Sequence, residues 1–140
     1  MASIHNDIRA ALESHLSTTA GLPAIAYENV PFDPTTGTSF LKVMYIPTTR
    51  RPAVRGLNPQ QRYEGLLSVT VYCPEGNGPS TADDYANLVT EAFEATTDIS
   101  FTNSDLETIQ VSIEYADRQQ GFIDSPWYYV PINIAWYIYK

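Results

Sequence analysis

Two histidines, one cysteine and a few paired carboxylates are the side chains with which this 140-residue chain could do chemistry. His5 and His15 stand on one amphipathic segment. A helix at 3.6 residues per turn sets positions ten apart about 280° round its axis, so these two cannot share a metal. With no second cysteine, a zinc site would need carboxylates drawn from distant parts of the chain. Cys73 closes an apolar run just before Pro74, with no base beside it, and reads as a structural thiol. Asp83 with Asp84, and Glu91 with Glu94, have the spacing of a helix start and a solvated helix face, not of an acid–base pair. Gly56 and Gly76-Asn77-Gly78 match neither a phosphate loop nor a dinucleotide fingerprint, and no serine has a nucleophile-elbow context. These residue types predict no enzyme, no metal and no cofactor.

The cations tell more. Half of the eight basic residues, Arg50, Arg51, Arg55 and Arg62, crowd into residues 47–63, while the chain as a whole carries a formal charge of -8. No Asp or Glu occurs between Asp33 and Glu64. Pro47, Pro52, Pro59 and Gly56 argue against a regular helix or a central strand, so an extended loop is expected. An uncovered loop of that length is uncommon in a compact domain without a function. Three uses are open: a solvated loop, contact with DNA phosphates, or a subunit arm docking on an acidic surface such as Asp83, Asp84, Glu91 and Glu94. Stacking aromatics and further basic strands, which a DNA surface would want, are absent nearby. Intersubunit pairing fits the charge segregation best.

The elements that must position these residues follow from periodicity. Ser3 can cap a helix with Asp7 in its first turn and Ile4, Ile8, Ala11, Leu12 and Leu16 on one stripe. Gly21 and Pro23 end it, and residues 24–29 read as a short strand. Residues 40–46 form a strand with Leu41, Val43 and Tyr45 on one face and Phe40, Lys42, Met44 and Ile46 on the other. Residues 63–73 alternate likewise, with Leu67, Val69, Val71 and Cys73 opposed to Leu66, Ser68, Thr70 and Tyr72. Two strands flanking the arginine segment predict an antiparallel hairpin with an extended tip. Ser80 or Thr81 caps a second helix whose core stripe is Tyr85, Leu88, Val89, Ala92 and Phe93.

Ile109, Val111, Ile113 and Tyr115 mark a further strand, and residues 127–139 a long aromatic one. On the latter the even positions from Tyr128 to Ile138 make the core face. Trp127, Tyr129, Tyr137 and Tyr139 lie opposite and could meet a neighbouring subunit. Pro131 points to an edge or a bulge. The order predicts an α+β fold: an antiparallel or mixed sheet, two helices packed on one face, and a long β-hairpin arm, in one domain over residues 1–140.

Composition agrees with a globular chain, 44% hydrophobic and 17% charged, with ten tyrosines. Its acidity argues against coating nucleic acid. The first residues lack the pattern of a signal peptide, and no apolar run is long enough to span a membrane.

Taken together, several segments are familiar: the strand Tyr27-Glu28-Asn29, the turn Arg62-Tyr63-Glu64-Gly65, the helix with Ala82, Ala86 and Phe93, and the closing strand with Pro131 and Ile134. Nearly end to end, the chain resembles the tail terminator-like proteins of long-tailed bacteriophages and prophages. The resemblance implies a structural virion protein of the tail or neck, assembled in the host cytoplasm. It implies a homohexameric ring on the head-proximal end of the tail tube, which stops polymerisation and offers a surface to the head–tail connector. DNA would pass through the lumen without specific binding. The arginine arm would then reach a neighbour, the tube or the lumen. The competing functions are a head–tail stopper or tail-completion protein and, from another class, a small-ligand-binding α+β domain.

Overall fold

A computed structural model describes residues 3–57 and 59–140. The order is α1 (Ile4–Ser17), β1 (Ala24–Ala26), β2 (Phe40–Pro52), β3 (Gln61–Pro74), α2 (Ser80–Ala92), β4 (Asp98–Thr102), β5 (Thr108–Arg118), β6 (Phe122–Asp124) and β7 (Trp127–Tyr139). The sheet runs β1-β2-β3-β7-β5-β4, with β6 pairing to β7 beyond the end of β5. Only β1 and β2 are parallel. This is the expected α+β fold with a mixed sheet, and it adds two short strands, β4 and β6, that sequence periodicity does not reveal.

The two-residue alternation of β2, β3 and β7 works as expected. Leu41, Val43, Leu67, Val69, Val71, Ile132, Ile134 and Trp136 are buried on the face that the helices cover. Helix α1 supplies Ile8, Ala11, Leu12 and Leu16 to this core, and α2 supplies Ala82, Ala86, Val89 and Phe93. Tyr85, Leu88 and Ala92, expected at the centre of the second stripe, sit half-buried on its flanks.

Both expected helix caps are corrected. Ser3 occupies the cap position of α1, but its side chain makes no capping bond; its carbonyl accepts the Asp7 N–H at 2.9 Å. Ser80 already belongs to α2, and Pro79 precedes it as the cap residue. Asp7 does more than face the helix dipole. Its buried carboxylate accepts the Asn103 side-chain amide at 3.0 Å, and the Asn103 side-chain Oδ1 accepts the backbone N–H groups of Asp105 and Glu107. The first turn of α1 is thereby hooked to the β4–β5 turn.

Two strand expectations also change. A bulge between Ile113 and Tyr115 shifts the β5 register, so Tyr115 turns out to 40% exposure and Ala116 packs inward. Pro131 lies in a central strand, between β3 and β5. It is tolerated because its neighbour breaks there. β5 ends at Arg118 opposite Ile132, β6 starts at Phe122 opposite Tyr129, and the intervening Gln119 N–H donates to the Pro131 carbonyl.

Candidate assembly surface

The arginine segment is far less irregular than its prolines suggest. β2 continues to Pro52 and β3 begins at Gln61, so the irregular tip of the arm is short, with residues 53–57, 59 and 60 described. A bulge between Pro47 and Thr49 resets the register, and Thr49, Arg50, Arg51 and Pro52 then pair with Glu64, Tyr63, Arg62 and Gln61. The prolines fit because they face the open flank of β2. The Tyr45 N–H, two residues before Pro47, already turns outward to the Glu28 carboxylate, whereas the Ala53 N–H turns inward to the Gln60 carbonyl at 2.7 Å. Alternation between these fixed points sends Pro47 and Pro52 outward, where no ladder donor is needed.

Three of the four arginines are held within the chain. Arg51 donates to Glu64 at 2.6 Å, and Arg62 donates to the same carboxylate at 3.1 Å. Arg62 also donates to the Tyr139 hydroxyl at 2.6 Å and lies 4.5 Å from the Tyr137 ring centre. Arg50 sits 5.5 Å above the Tyr63 ring, whose other neighbour is His5. The Thr49 hydroxyl, Arg51 and Arg62 together hold the Glu64 carboxyl down at about 2. Arg55, in the tip, has no partner among the described residues, and Val54 and Leu57 beside it are 63% and 98% exposed.

The Arg62-Tyr63-Glu64-Gly65 segment, expected as a turn, lies within β3 instead, and each position has a physical reason. Arg62 and Glu64 gather the arm, Tyr63 is buried, and Gly65 makes room. A Cβ on Gly65 would stand 2.5 Å from the Ile46 carbonyl oxygen and 2.7 Å from the Trp136 ring.

The four aromatics singled out on the last strand fall into two groups. Tyr137 and Tyr139 lie opposite Glu64 and Arg62 and clamp the arm. Trp127 and Tyr129 lie at the other end, opposite Pro74 and Tyr72. There they join aromatics from other strands into one ladder. Phe40 stacks on Tyr72 at 4.7 Å with the rings parallel to 1°, and touches Phe32 and Trp127 at 5.2 Å each. Tyr72 then meets Tyr129 at 5.6 Å, and Tyr129 meets Phe122 at 5.7 Å. Phe32, Phe40, Tyr72 and Phe122 are the members that sequence reasoning missed. The faces of Phe40 and Tyr72 were readable, but the cross-strand register that stacks them was not.

The acidic residues of α2 are spread over separate surroundings. Asp83 pairs with Arg118 at 2.6 Å, and Glu91 accepts from Asn87 at 3.1 Å. Asp84 and Glu94 are exposed. The titratable groups weighed for chemistry are structural. His15 donates to the Ala92 carbonyl at 2.7 Å, and His5 bonds the Tyr45 hydroxyl at 2.8 Å. Cys73 is buried, accepts from Ser39, and has its thiol pushed up by burial, which suits no nucleophile.

A family model described as phage tail terminator protein matches residues 7–136. The chain belongs to that family. It is therefore a phage tail protein of a structural family. Similar solved structures include one that superposes with a TM-score of 0.73 at 21% identity, covering 99% of this chain and 97% of that one. At that identity the likeness speaks for the fold. A comparison with curated proteins found no match. No helix among the described residues is long and apolar enough to cross a membrane.

Proposed function

We propose that this tail terminator protein assembles as a homohexameric ring on the head-proximal end of the tail tube. There it ends tube polymerisation and presents the surface to which the head–tail connector attaches. The observation that carries the proposal is the arm. A 13-residue and a 14-residue strand project a tip where Val54 and Leu57 are exposed and Arg55 has no partner among the described residues. Exposed apolar side chains at the end of a charged projection favour a partner protein over solvent. The acidic remainder suits a conduit through which DNA slides without binding.

The proposal is tested in phage lacking the protein. Tails of uncontrolled, excessive length are expected. Tails of normal length accumulating beside unjoined heads would instead identify a head–tail stopper or completion protein.

A further inference from the structure

The β2–β3 hairpin ends in two unlike surfaces. At its tip are Val54 and Leu57, the latter 98% exposed. At its base a groove of about 490 Å³ opens beside the first rungs of the aromatic ladder, lined by Phe32, Phe40, Lys42, Met44, Tyr72 and Trp127. Its aromatic and aliphatic lining is interrupted by Glu28, Asn29 and Lys42, and no element among the described residues covers it. Ten positions of extended chain, about 30 Å, separate Met44 in the groove from Val54 in the tip, so a tip cannot reach the groove of its own molecule.

Charge runs the same way. The arm carries Arg50, Arg51, Arg55 and Arg62 against Glu64 alone. The groove end carries Glu28, Asp33, Glu75 and Asp124 against Lys42 and Arg9, the latter paired with Glu28 at 3.9 Å. The open flank of β2 is poor in free donors for strand addition. Pro47 and Pro52 lack outward N–H groups, and Glu28 occupies that of Tyr45. This favours a second copy that meets the hairpin through side chains.

We infer that the tip of one copy seats Val54 and Leu57 in the aromatic groove of the next copy, with Arg55 brought to the acidic groove end. This names the partner of the arm and rests on the ring reading above. Such a contact joins unlike patches, so it propagates from copy to copy until rotation closes it into a ring.

The test uses two variants that change only exposed positions: Val54→Ser with Leu57→Ser at the tip, and Met44→Glu in the groove. Each variant alone is expected to lose self-association by roughly tenfold or more, the scale of a lost interface anchor. An equal mixture is expected to give a heterodimer and nothing larger in sedimentation, because only one intact contact can form. As a guard against misfolding, copies carrying Leu57→Cys and Met44→Cys should form a covalent heterodimer on oxidation, since Cys73 is buried.

Either serine or glutamate variant assembling like the parent would overturn the inference. So would a mixture that stays monomeric, or a parent chain that is monomeric at millimolar concentration. If tails run over-long without the protein while rings survive the tip change, this contact is wrong and the terminator function stands. If the heterodimer forms but tails lacking the protein keep normal length, the contact stands and the terminator function is wrong.

Discussion

The two halves of the β2–β3 hairpin are built from the same ladder but held by different forces. Toward the base, Leu41, Val43, Leu67, Val69 and Val71 are fully or almost fully buried between the helices and the neighbouring strands. Each such aliphatic contributes about 1.5–3 kcal/mol. Beyond the Pro47 bulge the arm has β7 on one flank and no strand among the described residues on the other, and its order comes from Glu64, Arg51, Arg62, Tyr137 and Tyr139. Exposed ion pairs contribute about 0–1 kcal/mol, and exposed cation–π contacts about 0.5–1. The base is therefore fixed by packing, whereas the arm is aimed by electrostatics and can adjust when it meets a partner.

The largest change to this contrast comes where the halves meet. Trp136 is buried at 1% exposure and stacks on Tyr45 at 5.4 Å. Trp136→Ala should destabilise the whole domain by about 3–5 kcal/mol in a denaturant titration. Gly65→Ala should cost about 1–3 kcal/mol, because the added methyl collides with the Ile46 carbonyl oxygen and the Trp136 ring. An unchanged midpoint would show that the arm joins the body more loosely than its geometry indicates.

Glu64→Gln is expected to act locally, costing about 1 kcal/mol or less while loosening residues 49–64 in amide exchange. Its pH signature follows from the sign of the shift. The folded carboxyl titrates at about 2, below its ordinary 4.5, so its stabilisation is complete above 4.5 and fades as pH falls toward 2. The parent arm should loosen across that window, and the glutamine variant should show no such step there. Smallest of all for folding is Leu57→Ser, expected within about 0.5 kcal/mol of the parent by thermal melting although it removes the tip's most exposed apolar side chain.

The contrast also explains what the sequence discloses. Where one face is buried, as along residues 40–46, 63–73 and 127–139, alternation reads out the fold directly. It fails where the backbone departs from regularity: the Glu114 bulge that turns Tyr115 outward, and the break opposite Pro131. The arm looked irregular because its prolines suggest loop, yet they line an open flank that needs no donors. Its charge looked unopposed because Glu64 stands just past the basic run and folds back on Arg51 and Arg62. The aromatic ladder depends on registers among β2, β3, β6 and β7, which no single segment encodes.

The most direct test of the central claim adds the purified protein to tube subunits during polymerisation and follows tube length by electron microscopy. Growth is expected to stop, with one end of each tube carrying a sixfold ring with an open lumen. Tubes that lengthen at an unchanged rate, with the protein left free in solution, would contradict it.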